Sequence, residues 1–218
     1  LIDYAVGPFI MSAILLSRNN FVSLFSFIVE FEVIKSLASL GIVYALALVT
    51  INLNYKADII MMDKLSTAYE LGIYSKGASL VEYLWEIPML FSTIVFARSA
   101  VSRNEKAFSV KVAHLLRLSI LAVGACSLIL VVSSKWVIHL MFGSDFLPSA
   151  SVLAILAPGV LLLTIFKVLN MDLAGKGKPW VSMKAMVPAL LINIILNIFL
   201  IPRYGADGAA FSSTVSYS

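Results

Sequence analysis

Long apolar runs with few charges divide this chain, and they restrict its fold more than any other feature. A helix needs about 20 apolar residues to cross the hydrocarbon core of a bilayer. Membrane β-strands would be about 10 residues long and would alternate in polarity. The runs are longer than such strands and continuous, so we predict an all-α polytopic membrane protein with six full transmembrane helices and a truncated seventh. The runs lie near residues 1–17, 37–62, 70–97, 108–133, 149–174 and 180–201, with the last beginning at about 207.

The composition indicates the same class of protein. Apolar residues make up 61% of the chain and charged residues 13%, whereas a soluble domain has roughly 45–50% and about 25%. A soluble protein with this composition would expose large apolar patches. The chain begins at Leu1 without an initiator methionine and stops at Ser218 inside an apolar run. We therefore expect a fragment of a longer helical bundle.

A sharp corner between two helices is predicted at residues 201–210. A proline and a glycine turn end one apolar segment there, and the next begins at once on small residues. Too few residues separate the two segments for a soluble domain, so the pattern predicts a hairpin of membrane helices. The corner reads Ile201-Pro202-Arg203-Tyr204-Gly205-Ala206-Asp207-Gly208-Ala209-Ala210.

The basic residues predict the orientation of the helices in the membrane. Nine lie at the links after the first, third and fifth helices, and four lie at the alternate links. The positive-inside rule places the richer set in the cytoplasm. Basic residues with stacking aromatics are not concentrated on one face, so no nucleic-acid partner is expected. The richer set is Arg18, Lys35, Arg98, Arg103, Lys106, Lys111, Lys176, Lys178 and Lys184, and the other set is Lys56, Lys64, Lys135 and Arg203.

Residues suited to catalysis or metal binding are sparse. Cys126 lies inside an apolar run, and neither His114 nor His139 has a His, Cys or carboxylate at ligand spacing, so a zinc site is not supported. No Ser/His/Asp arrangement or phosphate-binding glycine loop is present. We predict that the protein is not an enzyme and that it has no catalytic residue, metal or cofactor.

Polar residues inside the apolar runs are the candidate functional residues, because a charge within the bilayer is costly unless it faces protein or water. The third helix carries a stripe about 60° wide, and two acids with a nearby lysine on it suggest a wet cavity. Neutralisation of partners in neighbouring helices would explain Lys76 and Glu82 equally well. The stripe consists of Ser75, Ser79, Glu82 and Glu86, bordered by Lys76 and Tyr83.

Three other helices carry a polar stripe as well. Several helices with one polar stripe each are what an arrangement around a polar cavity requires. We interpret Asn193 and Asn197, four residues apart, as interhelical hydrogen-bonding residues. The other stripes are Tyr44, Asn54, Tyr55 and Asp58 on the second helix and Thr164, Lys167 and Asn170 on the fifth.

Motifs spread over residues 35–218 resemble the polysaccharide (O-antigen) flippase family of the multidrug/oligosaccharidyl-lipid/polysaccharide exporter superfamily. They occur in the order that the family has, and together they make the resemblance specific. Besides the corner at 201–210 they are Tyr55-Lys56-Ala57-Asp58-Ile59-Ile60, Gly72-Ile73-Tyr74-Ser75, Phe96-Ala97-Arg98, Phe142-Gly143-Ser144-Asp145-Phe146 and Leu173-Ala174-Gly175-Lys176-Gly177-Lys178-Pro179.

The resemblance implies a transporter with two six-helix halves around a central cavity that works by alternating access. Residues 1–36 would be the last helix of the N-terminal half with its link, and residues 37–218 the C-terminal six-helix half with its final helix truncated. The implied cargo is a polyprenyl-pyrophosphate-linked oligosaccharide for surface polysaccharide (lipopolysaccharide O-antigen) biosynthesis. The implied location is a bacterial or archaeal cytoplasmic membrane.

The resemblance also suggests roles for the polar residues. A pyrophosphate cannot cross hydrocarbon without a polar route lined by cations. The expected partners are the lipid-linked oligosaccharide, membrane lipids, a coupling cation (H⁺ or Na⁺) and polysaccharide assembly proteins. For the substrate the candidates are Lys76, Lys167, Arg98, Ser79, Tyr83 and Asn170, and for ion or proton coupling they are Asp58, Glu82 and Glu86.

Two other functions stay open from the sequence. A cation-coupled multidrug antiporter of the same superfamily would have a more apolar cavity dominated by acids, and the lysines inside the apolar runs count against it. A membrane-embedded glycan polymerase or ligase would need a large outward loop, which these residues do not contain.

Overall fold

The computed structural model describes residues 31–102 and 105–218, and this part of the chain is helical. It contains five helices that are long and apolar enough to cross a membrane. A short 3₁₀ helix, Ser144–Phe146, precedes the fourth. The helices are α1 Phe31–Leu65, α2 Ala68–Val101, α3 Glu105–Phe142, α4 Ser149–Gly175 and α5 Pro179–Ser216.

The predicted all-helical fold is confirmed for these residues, but the predicted count of six helices and a truncated seventh is not. The run at 1–17 lies outside the described residues, as do Arg18 and Arg103. Each of the next five runs falls within one of the five helices, so the second to sixth helices predicted from the sequence are α1 to α5 in that order. The chain divides into two compact units, Leu1–Gly41 and Ile42–Ser218, and the sites described below lie in the second.

Most of the basic residues that the sequence places at links lie inside helices where the structure describes them, and Lys56 is an example. Lys56 is part of α1, which continues to Leu65. The helices extend beyond the apolar runs because polar residues continue them through the interfacial region. Lys56 is therefore part of the helical bundle.

The hairpin predicted at residues 201–210 is present within α5. Gly205 has φ 54° and ψ −127°, which interrupts the helical backbone. Asn197 and Ser213 both donate hydrogen bonds to the carboxylate of Asp58, although in a straight helix they would lie about 24 Å apart. The chain therefore folds back at Gly205, and α5 consists of a first arm, 179–204, and a second arm, 206–216.

The corner is held by the start of α2. The side chain of Thr67 accepts a hydrogen bond of 3.2 Å from the Glu70 amide and so caps α2. The Glu70 carboxylate accepts a hydrogen bond of 2.9 Å from the amide of Ala206, the first residue of the second arm. A Thr-x-x-Glu sequence commonly forms a reciprocal capping box within one helix. Here the glutamate caps the second arm, and the two helix starts are joined.

α4 lies at the centre of the bundle and contacts α2, α3 and α5. Glycines allow two of these close contacts. A Cβ atom on Gly77 of α2 would lie 2.7 Å from Val152 of α4, and one on Gly159 of α4 would lie 2.9 Å from Thr214 of the second arm. The packing of α2, α4 and the second arm positions the polar residues described next.

Candidate functional site

A buried carboxylate joins three helices of the bundle. Asp58 of α1 has no exposed surface. One carboxylate oxygen accepts hydrogen bonds from the side-chain amides of Asn193, at 2.9 Å, and Asn197, at 2.7 Å. The other accepts from the hydroxyl of Tyr74 of α2, at 3.0 Å, and from the hydroxyl of Ser213. The Asp58 network therefore ties α1 to α2 and to both arms of α5.

The Asp58 carboxyl group has no cationic partner among the described residues. Four neutral donors satisfy the carboxylate, but desolvation of an unpaired charge is still costly. Nearby polar atoms also lack partners in the described structure: the oxygen of Asn197 and both side-chain amide atoms of Asn54. Asn54 is fully buried, one turn before Asp58. This cluster of oxygens suits a proton or a hard cation.

A second polar region is a cavity of about 420 Å³ that shares no lining residue with the Asp58 network. It contains cations, carboxylates and aromatic rings from α1, α2 and α4. We call it the lysine cavity, and it is lined by Asn52, Tyr55, Lys56, Ser79, Glu82, Tyr83, Trp85, Glu86 and Lys167.

Lys167 is a buried cation held by aromatic faces. Its side chain is 9% exposed, and its Nζ lies 4.1 Å from the ring centroid of Trp85 and 5.1 Å from that of Tyr55. Within the described residues no carboxylate lies within 4.0 Å of Nζ, whereas Lys56 reaches Glu82 at 3.8 Å. Cation–π contacts stabilise a desolvated ammonium by about 2 kcal/mol, and they leave its hydrogen-bond donors available to an anion.

The structure brings together five of the predicted site residues. The predicted stripe on α2 faces this cavity except at Ser75, which does not line it. The pattern works because α2 is regular over these residues, so that positions three and four apart share a face. The five that meet are Ser79, Glu82, Tyr83, Glu86 and Lys167.

Three other predicted substrate-binding residues lie elsewhere. Lys76 lies over the ring of Phe142, with Nζ 5.0 Å from its centroid, near the corner between α3 and α4. Asn170 lines a separate, largely apolar cavity of about 350 Å³ with Tyr44. Arg98 lines a groove between α2 and α3. Helical spacing could not tell which cavity each of these residues meets.

The sequence did not identify several residues of these sites. Tyr74 and Ser213 were not candidates, although they contact Asp58 directly. Trp85 was not a candidate either, and Lys56 was assigned to a link. Lys56 and Trp85 lie within one turn of candidates on the same helix, which is a usable signal. Ser213 comes from a segment distant in sequence, and nothing local marks it. The interhelical role predicted for Asn193 and Asn197 is confirmed.

Comparison with known families agrees with this arrangement. The chain matches a family model described as polysaccharide biosynthesis protein over residues 3–151, and one described as the lipid II flippase MurJ over residues 87–218. The chain belongs to the polysaccharide biosynthesis protein family. The predicted relationship to flippases of the multidrug/oligosaccharidyl-lipid/polysaccharide exporter (MOP) superfamily is confirmed.

Two archaeal relatives are similar over part of the chain. An uncharacterized membrane protein of Methanocaldococcus jannaschii is 30% identical over 117 residues, which are 52% of this chain and 22% of that protein. The probable low-salt glycan biosynthesis flippase Agl15 of Haloferax volcanii is 30% identical over 89 residues, 41% of this chain and 19% of that protein. The chain therefore matches about a fifth of the length of these relatives.

Two solved transporters have the same fold over most of the chain. One is a multidrug resistance MATE family transporter of the MOP superfamily in an outward-facing conformation, with a TM-score of 0.68. The other is a MOP superfamily transporter from Pyrococcus furiosus, with a TM-score of 0.65. Each is 21% identical, and the match covers 84% of this chain and 42% of theirs. Family and fold together identify a multi-pass membrane protein.

Proposed function

We propose that this family member is part of a flippase that moves a polyprenyl-pyrophosphate-linked oligosaccharide across the cytoplasmic membrane by alternating access. Residues 37–218 would form its C-terminal half, and residues 1–36 the end of its N-terminal half. The relative Agl15 is described as a probable glycan biosynthesis flippase, which supports a glycan-lipid substrate. The observation that carries the proposal is the buried, unpaired ammonium of Lys167 in the lysine cavity.

A pyrophosphate headgroup needs a compensating cation inside the membrane. Lys167 can donate hydrogen bonds into the cavity while Trp85 and Tyr55 hold its charge. The Ser79 and Tyr83 side chains line the same space and are suited to donate to phosphate or sugar oxygens. Two carboxylates there, Glu82 and Glu86, would repel the headgroup at short range and so keep it from binding too tightly to be released.

The coupling ion would bind separately, at the Asp58 network. Its four donors belong to α2 and both arms of α5, so a change in the charge of Asp58, on α1, alters its contacts with all of them. Protonation of the carboxylate, or Na⁺ bound by the surrounding oxygens, would relieve the uncompensated charge. Only an ion that binds the two conformations with different affinity can drive the cycle, and this shared network gives the ion a means to do so.

The first experiment is Lys167→Ala in the full-length protein, scored for membrane abundance and for surface polysaccharide in a flippase-null strain. We expect normal abundance with loss of transport, and partial activity for Lys167→Arg, because the charge is retained. Lys178→Ala, at an exposed link position, is the control and should transport normally.

Two results would count against this assignment. Normal transport by Lys167→Ala would mean that the substrate does not need this charge. Low abundance that is restored by a second change, Glu82→Ala or Glu86→Ala, would mean that Lys167 serves to compensate those carboxylates.

A cation-coupled multidrug antiporter is the second candidate, and the pair of carboxylates in the lysine cavity favours it. Glu82 and Glu86 lie beside the aromatic rings of Trp85 and Tyr55, a combination that suits a lipophilic cation. Efflux of ethidium by the full-length protein, lost in Glu86→Gln and unaffected in Lys167→Ala, would establish this function in place of the flippase.

A further inference from the structure

A groove between α2 and α3 has the composition of a lipid site. It has a volume of about 270 Å³ and shares no lining residue with the lysine cavity. Its walls are apolar except for two cations. We call it the α2–α3 groove, and it is lined by Ile94, Val95, Arg98, Phe108, Lys111, Val112 and Leu115.

The two cations come from the two helices that form the groove. Arg98 is in the last turn of α2, which ends at Val101, and Lys111 is near the start of α3, which begins at Glu105. Both are exposed, and neither forms an ion pair with any residue that the structure describes. The sequence predicts this side of the membrane to be cytoplasmic. The charges therefore lie near the headgroup layer, where an anion can reach them.

The rest of the groove is suited to an acyl chain. Val95 and Val112 are buried, with 5% and 3% of their surfaces exposed, and they pack with Val168 of α4 to form a floor. Ile94, on the rim, is 57% exposed. An apolar surface that faces hydrocarbon is covered by lipid, and the only question is which headgroup is preferred.

We propose that the α2–α3 groove binds an anionic phospholipid of the cytoplasmic leaflet, with its phosphate on Arg98 and Lys111 and an acyl chain along the apolar wall. Basic pockets between transmembrane helices on the cytoplasmic side recognise anionic headgroups in this way. The proposal goes beyond the flippase function, and it gives Arg98 a role outside the lysine cavity. Because the two sites share no residue, each can fail without the other.

The test is native mass spectrometry of the purified full-length protein, titrated with phosphatidylglycerol or phosphatidylcholine. One membrane-proximal cation contributes about a fivefold preference for an anionic lipid. The double variant Arg98→Gln/Lys111→Gln should therefore bind phosphatidylglycerol about 25-fold more weakly and phosphatidylcholine as before. Arg117→Gln/Lys178→Gln is the matched control, since it removes one arginine and one lysine that lie outside the groove.

A third variant tests the groove itself. Leu115→Trp fills the apolar wall without a change of charge, and it should also weaken the binding of phosphatidylglycerol. Equal weakening by the control pair, or no effect of Leu115→Trp, would mean that surface charge alone attracts the lipid and would overturn the proposal. Displacement of phosphatidylglycerol by an equimolar polyprenyl pyrophosphate would also overturn it, because the groove would then belong to the substrate path.

Discussion

Replacement of Asp58 by alanine should destabilise the protein measurably, and by less than the loss of four hydrogen bonds suggests. Each of the four donors keeps a second partner. The hydroxyls of Tyr74 and Ser213 lie 3.3 Å apart. The Asn197 amide also donates to the Asn193 oxygen at 3.0 Å, and the Asn193 amide is 3.5 Å from the hydroxyl of Ser216.

The expected loss of stability is modest because these partners remain. Hydrogen bonds between membrane helices contribute about 0.6 kcal/mol each on average, so the loss of four costs roughly 2–3 kcal/mol. Removal of an unpaired buried charge offsets part of this. For a chain of this size, 1 kcal/mol corresponds to about 2–4 °C in Tm. Asp58→Ala should therefore lower Tm by at most about 5–10 °C.

Asp58→Asn separates structure from coupling. Its oxygen can still accept from Asn193 and Asn197, and its amide can donate to the hydroxyl of Tyr74 or Ser213. We expect a Tm within about 4 °C of wild type, together with the loss of any stabilisation by sodium, because the negative charge is gone.

The assay is thermal unfolding of the purified full-length protein in detergent, with sodium chloride or choline chloride at equal ionic strength. Saturating sodium at about 100 times its Kd would stabilise wild type by about 2.7 kcal/mol. Asp207→Asn is the control, because Asp207 bonds Ser151 at an exposed position and should change Tm little. An Asp58→Ala protein as stable as wild type would refute the network, and sodium stabilisation retained in Asp58→Asn would refute its role in cation binding.

Two further predictions concern the lysine cavity and the α5 corner. In a cysteine-free background, Ser79→Cys should react with a water-soluble thiol reagent, because Ser79 lines the lysine cavity. Leu80→Cys should be protected, because Leu80 is 5% exposed. Equal labelling of the two cysteines would mean that the cavity is not hydrated. Gly205→Ala should lower stability by about 1–3 kcal/mol, because alanine is strained at φ 54° and its Cβ would clash with the Glu70 carboxylate. Gly124→Ala, whose Cβ would make an ordinary contact of 3.6 Å, should be neutral or stabilising in the same thermal assay. A similar loss of stability in the Gly205 and Gly124 variants would mean that the positive φ at Gly205 is not what makes its replacement costly.

Features that depend on neighbours along the chain could be predicted from the sequence. Five apolar runs correspond to five helices, because in hydrocarbon a continuous apolar segment must satisfy its backbone hydrogen bonds internally. The turn at Gly205 and the shared face of Ser79, Glu82 and Glu86 are equally local, since helical periodicity alone places side chains three and four residues apart on one side.

Features that depend on how the helices pack could not be predicted in this way. Asp58 appeared in the sequence as one polar residue on a stripe, and only the return of α5 at Gly205 brings Ser213 and Asn197 to the same carboxylate. Lys76 and Lys167 look alike in sequence, yet one lies against Phe142 near a helix corner and the other lies in the lysine cavity. The sequence by itself determined that this is a membrane helical bundle with charges that need partners. Only the tertiary structure decided which partners they have, because electrostatic and hydrogen-bonding contacts act over a few ångströms between segments that lie far apart in the sequence, such as Asp58 and its partners on α5, 135 to 155 residues away.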